Sequence, residues 1–134
     1  MAERSIKKGV VAMGTDGGFR KRQNPFTQVS NEALQNTELS CKARGLYAII
    51  QSYITIPDFI LYKNHLRKVS CLGQRAFDGA WQELKEAGYL KQYRIRSHSG
   101  YRYEYELLDR ADFITPALQN IGITGEILGQ EIQL

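Results

Sequence analysis

Leu72–Arg102 reads LGQRAFDGAWQELKEAGYLKQYRIRSHSGYR, and the fold of the chain turns on it. Phe77, Ala80, Trp81 and Leu84 fall at the i, i+3, i+4, i+7 spacing that puts four apolar side chains on one face of a helix, predicted from about Gln74 to Ala87. The opposite face offers Gln74, Arg75, Asp78, Gln82 and Lys85. Gly88 stands where a helix ends in a left-handed residue, and Tyr89-Leu90 lead into a strand. Two short strands then fold back around Ser97 to Gly100. With His98-Ser99-Gly100 as a three-residue loop and Gly100 left-handed, the register pairs Ile95 with Tyr103, Tyr93 with Tyr105 and Arg94 with Glu104. It also sets Arg96 opposite Arg102, a like-charge pair that is destabilising unless an anion lies between the two.

Upstream, Ser70-Cys71-Leu72-Gly73 is a short turn containing glycine. Before it, Asp58 is expected to cap a helix in which Phe59, Tyr62, Leu66 and Val69 form the apolar stripe, with Lys63, Arg67 and Lys68 off it. Thr55-Ile56-Pro57 separates this helix from an earlier one, capped by Ser40, whose core positions are Ala43, Tyr47, Ile50 and Ile54. Gly45 inside that helix costs about 1 kcal/mol against alanine, which predicts close packing by a neighbour. Pro25 to Val29 alternates like a short strand, and Ser30 can cap a brief helix over Asn31 to Asn36. Further back, Gly9 to Met13 suggests another short strand and Gly14 to Gly18 a turn. Arg20-Lys21-Arg22 belongs to an arm that either stays solvated or touches phosphates.

Downstream of Asp109 the chain turns apolar and acidic, with no Lys or Arg after Arg110. Thr115-Pro116 is a cap and first-turn pair that predicts a short helix through Ile121. Ile121, Ile123, Ile127, Leu128 and Ile132 are too few to fold alone. The segment must dock on the domain, the preferred reading, or meet a partner chain.

The totals bound the function. At 134 residues the chain reads as one domain: a basic arm over 1–24, a folded domain over 25–109 and an apolar, acidic tail over 110–134. No apolar run is long enough to span a membrane and no leader pattern opens the chain, so a soluble, cytoplasmic protein without membrane partners is expected. A net charge of +4 is modest, but Arg94, Arg96 and Arg102 crowd one hairpin. Cys41 and Cys71 lack zinc-site spacing and are expected to be buried thiols. His65 and His98 are isolated from any matching Asp, Glu or Cys pattern, so neither catalysis, a metal nor a cofactor is expected. Tyr93, Tyr101, Tyr103 and Tyr105 could stack single-stranded bases, but their period of two more simply places them on the sheet face that covers the helices.

Three core helices, the last two joined by a short turn, followed by a hairpin, describe an α+β fold of winged helix-turn-helix type with a short N-terminal strand. The runs Val29-Ser30-Asn31-Glu32-Ala33-Leu34, Leu39-Ser40-Cys41-Lys42-Ala43-Arg44-Gly45-Leu46-Tyr47 and Glu83-Leu84-Lys85-Glu86-Ala87-Gly88-Tyr89-Leu90 carry a resemblance. Across roughly Phe26 to Leu108 the chain resembles the winged-helix domains at the N-terminus of replication initiators and phage replisome organisers of Gram-positive bacteria and their plasmids. The resemblance implies a double-stranded DNA partner, with the third helix in the major groove. Members commonly carry a basic residue where this chain has Asp78, and they continue into a second domain.

The expected function is therefore sequence-specific duplex DNA binding for a plasmid, phage or integrated element, in replication initiation, at a transfer origin or in transcriptional control. Arg94, Arg96 and Arg102 would hold phosphates or a minor groove, while Gln74, Arg75 and Gln82 approach base edges and Lys63 and Lys68 add charge. A homodimer through the tail fits half-site binding. The alternative is a protein-interaction module of a replication or transfer complex, without groove reading.

Overall fold

A computed structural model describes residues 16–20 and 25–128. Among them, four helices and a four-stranded mixed sheet make an α+β arrangement: α1 (Asn31–Leu34), α2 (Cys41–Ile54), α3 (Lys63–Ser70), α4 (Gln74–Glu86), β1 (Leu90–Ser97), β2 (Gly100–Leu107), β3 (Leu118–Ile121) and β4 (Ile127–Leu128). No described helix is long and apolar enough to cross a membrane.

The helices form where caps and periodicity demand. The Ser40 hydroxyl accepts from the Ala43 N–H at 3.1 Å, and the Ser40 N–H and hydroxyl both donate to Glu83 of α4 at 2.8 Å, so one carboxylate ties the start of α2 to its neighbour. Ala43, Leu46, Tyr47 and Ile50 of α2 meet Phe77, Ala80, Trp81 and Leu84 of α4 in the core. Burying Phe77 and Leu84 alone contributes about 1.5–3 kcal/mol each. Gly88 closes α4 at φ +86°, and a Cβ there would lie 2.9 Å from the Asp112 nitrogen, so both backbone sign and space require glycine.

Several sequence expectations change. Residues 25–29 form no strand: the segment leads straight into α1 beside the chain after β2, held where the Ser30 hydroxyl donates to the Asp109 carbonyl at 2.6 Å, and it gains no ladder partner. The strand expected over Gly9 to Met13 lies outside the described residues. Asp58 does not cap α3; it takes a left-handed conformation (φ +60°) in the preceding turn, and Phe59 and Tyr62 come before the helix, with Tyr62 at its N-cap. Gly45 is exposed with open space around its missing Cβ, so no neighbour packs against it. Ile54 is 44% exposed and stands at the edge of the core. Both cysteines are exposed, Cys41 in the first turn of α2 and Cys71 as the left-handed cap of α3, because neither position faces the core.

The hairpin register also differs. His98 and Ser99 alone form the turn, Ser97 pairs with Gly100, and the Ser97 hydroxyl donates to the Gly100 carbonyl at 3.1 Å. One residue fewer in the loop shifts the ladder by one and moves every β2 side chain to the other face relative to β1. Arg96 therefore faces Tyr101, Arg94 faces Tyr103 and Ile95 faces Arg102, and the Arg96–Arg102 opposition does not exist. Tyr93, opposite Glu104, is separated from Tyr101, Tyr103 and Tyr105.

The segment after β2 docks, as a strand. The sheet order is β2-β1-β3-β4, with β3 parallel to β1 from Gln92↔Leu118 to Ile95↔Ile121, so the predicted helix through Ile121 is replaced by ladder bonds on the open side of β1. Residues 108–117 round the start of β1 to get there. The Asp112 N–H donates to the Gly88 carbonyl at 2.9 Å, the Tyr47 hydroxyl to the Leu108 carbonyl at 2.7 Å, and Lys91 Nζ to the carbonyls of Asp112 (2.7 Å) and Thr115 (2.8 Å).

Candidate nucleic-acid interface

Alternation along β1 sends Leu90, Gln92, Arg94 and Arg96 to the face that meets the helices. Leu90 is buried in the core, and Gln92 accepts from Lys85 of α4 at 3.1 Å. Tyr105, beside Gln92, meets Trp81 edge-on with centroids 5.0 Å apart. Farther toward the tip the strands leave the helices behind. Arg94 and Arg96 stand there with Tyr101, their guanidinium carbons 4.9 and 5.9 Å from its ring centre. Arg94 Nε donates to Asn120 Oδ1 of β3 at 2.9 Å, which fixes the guanidinium and leaves its terminal nitrogens free to donate elsewhere. Among the described residues neither arginine forms an ion pair with a carboxylate. Arg94, Arg96, Tyr101 and Asn120 line a shallow depression of about 240 Å³ closed by Ile121 and Leu128.

Arg102 falls outside this cluster. The register puts it on the opposite face, where it pairs with Glu104. That face also holds Tyr93, whose hydroxyl donates to Glu106 at 2.7 Å; burial, then the Glu106 bond, push its phenol up to about 12.

The helical candidates divide similarly. Lys63 opens α3 and lies 4.5 Å from the centre of the Trp81 ring. Burial lowers its ammonium below the ordinary lysine value, Asp78 opposes that shift and Lys85 adds to it, so the three charges share one neighbourhood. Gln74 donates to both Asp78 carboxylate oxygens at 3.0 and 2.9 Å, and Gln82 donates to Glu86 at 3.1 Å, the i,i+4 pairing a helix surface favours. Both amides thus lie along the helix. Arg75 and Lys68 are exposed on α4 and α3.

Fold and packing thus bring Arg94 and Arg96 together, place Lys63 at the seam between α4 and the sheet, and set Arg102 apart. Asn120 was missed in the sequence because it lies 26 residues from Arg94 in a segment read as helical. Lys91 was missed too: it is 3% exposed, 3.8 Å from the Asp112 carboxylate and bonded to two carbonyls, a structural cation in a strand that otherwise reads as solvated. His98 sits in the hairpin turn, and His65 packs against Tyr53 and Phe59. Among the described residues no group of three His, Cys, Asp or Glu side chains could hold a metal. The chain matches no protein-family model, no curated protein and no solved structure, so a role for this surface rests on its own geometry and chemistry.

Proposed function

We propose that the protein is a winged-helix, sequence-specific duplex DNA-binding protein of a plasmid, phage or integrated element, serving replication initiation, a transfer origin or transcriptional control. In this reading α3, the Cys71–Gly73 turn and α4 are the helix-turn-helix, and β1–β2 is the wing. The observation that carries it is the Arg94–Arg96 pair: two guanidinium groups side by side on one tyrosine, one held by Asn120, with no carboxylate partner among the described residues. Mutual repulsion in such a pair is relieved by an anion, and a DNA phosphate supplies one. The wing contributes most of the affinity. On α4, Arg75 is free to approach base edges, while Gln74 and Gln82 must first leave their carboxylates. Arg102, paired with Glu104, and exposed Lys68 add long-range attraction only.

An anisotropy titration of the protein against duplex DNA from the flanks of its own operon, at two salt concentrations, tests this. Binding that weakens steeply with salt and favours one segment supports it. A second reading is favoured by the apolar side chains exposed around β3 and β4, including Ile114 (94%), Phe113, Leu118, Ile127 and Leu128. They suit a protein-interaction module or a homodimer of the chain. Absence of salt-dependent binding to any duplex, together with concentration-dependent self-association, would favour that module.

A further inference from the structure

Among the described residues the outer side of β2 is an edge of the sheet, and beside it the stretch Ile60–Tyr62 and Lys63 at the start of α3 leave a groove of about 560 Å³, within the about 300–1,000 Å³ typical of sites for small organic ligands. Tyr62, Tyr103, Tyr105 and Trp81 line it, over an aliphatic floor that includes Ile54 and Leu107. Trp81 and Tyr105 are spoken for, each packed on the other. Tyr62 and Tyr103 are not: they are 66% and 50% exposed, and among the described residues neither ring stacks on another nor does either hydroxyl hydrogen-bond. Lys63 stands at one wall on the Trp81 ring, and Tyr103 lies directly opposite Arg94 in the ladder. Free aromatic faces thus adjoin Lys63 and Arg94, neither of which forms a direct ion pair with a carboxylate among the described residues, although Asp78 lies in the neighbourhood of Lys63.

We propose that this groove takes an unpaired nucleobase of single-stranded DNA, stacked against Tyr103 and Tyr62, with neighbouring phosphates on Arg94 and Arg96. Duplex bases, stacked about 3.4 Å apart, present no free face to a tyrosine, so the groove distinguishes an unstacked base from a paired one. Successive side chains on one face of β2 are about 6.8 Å apart, twice that step, which again suits a strand pulled open. An extended peptide adding to the β2 edge is the competing occupant. The lining disfavours it: among the described lining residues Glu104 is the one carboxylate and is paired with Arg102, which leaves Lys63, with Asp78 outside the groove in its neighbourhood, as the cation that faces a polyanion. The site rests on the nucleic-acid reading above only for its phosphate contacts; base stacking is its own claim.

The test is an anisotropy titration of labelled oligothymidylate and, separately, of a duplex, using the whole chain. Tyr62→Ala/Tyr103→Ala should weaken oligothymidylate binding by about tenfold to a hundredfold, the worth of one stacked base or slightly more, and leave duplex affinity unchanged. Tyr62→Phe/Tyr103→Phe, which keeps the rings, should bind like the parent. An oligonucleotide carrying 5-iodouracil should photocrosslink within Ile60–Lys63 or β2. No binding of oligothymidylate, equal loss on single strand and duplex, a crosslink elsewhere, or binding only of an acidic apolar peptide would each overturn the site. Duplex binding could survive every one of these results, so the two readings fail separately.

Discussion

Lys91 and the pair Arg94–Arg96 lie within six residues on one strand, yet they meet opposite fates. Lys91 points under the strand's start, where residues 108–117 wrap it and two carbonyls and a carboxylate receive its ammonium. Arg94 and Arg96 point to the other face beyond the end of the helices, where, among the described residues, their polar and aromatic partners are Tyr101 and Asn120. The difference teaches how to tell a cation used inside the fold from one left available to a ligand. Burial forces complete pairing, because an unpaired buried charge costs several kcal/mol, whereas a cation left half-paired at a surface remains available to a ligand.

The largest effect should come from the available end. Arg94→Ala/Arg96→Ala is expected to weaken duplex binding by about one to two orders of magnitude and flatten the salt slope by about two units, with an unchanged denaturation midpoint. Anisotropy at several salt concentrations measures both. If Arg75→Ala proved more damaging than this pair, the helix rather than the hairpin would dominate. At the structural end, Lys91→Met should cost about 2–3 kcal/mol in urea unfolding, by orphaning the Asp112 and Thr115 carbonyls, while the folded fraction keeps its affinity. A loss of affinity without a loss of stability would erase the distinction between the two cations.

Asn120→Ala sharpens the comparison, because it converts a positioned arginine into a free one. Freeing the guanidinium should weaken duplex binding by up to about fivefold through lost positioning and lower stability by about 1 kcal/mol, read by the same titration and by urea unfolding. The smallest effect is alkaline. The Tyr93 phenol is raised to about 12 in the fold by burial and by Glu106, above the ordinary tyrosine value of 10.0, so its contribution to stability is complete below pH 10 and is lost as pH rises from 10 through 12. Burial also raises the phenols of Tyr47, Tyr89 and Tyr105, so ultraviolet titration should show several late tyrosines and Tyr93→Phe should remove one of them; a titration unchanged by Tyr93→Phe in its late part would remove this pairing.

Much of the architecture was legible because local rules suffice for it. Ser30 and Ser40 are N-caps as read, Gly88 takes the positive φ assigned to it, and Phe77, Ala80, Trp81 and Leu84 are all buried. What failed depends on partners distant in the chain. Asp58 looked like a cap, but the helix begins five residues later, and Asp58 turns the chain instead. The hairpin loop could hold two residues or three, and a one-residue difference decided that Arg96 faces Tyr101 rather than Arg102. The exposed Tyr101 and Tyr103 correct the expectation that this face merely covers helices, since the strands outrun α4.

By itself the sequence determined the helices around the core, the stop at Gly88 and the crowding of arginine on one hairpin, because caps, 3.6-residue periodicity and glycine stereochemistry act over a few residues. Only the tertiary structure decided which arginines stand together, that Lys91 is buried and that residues 118–121 add a strand carrying Asn120 to Arg94. Those outcomes turn on ladder register and on the hydrogen-bond needs of an open sheet edge, which are settled between segments far apart in the chain.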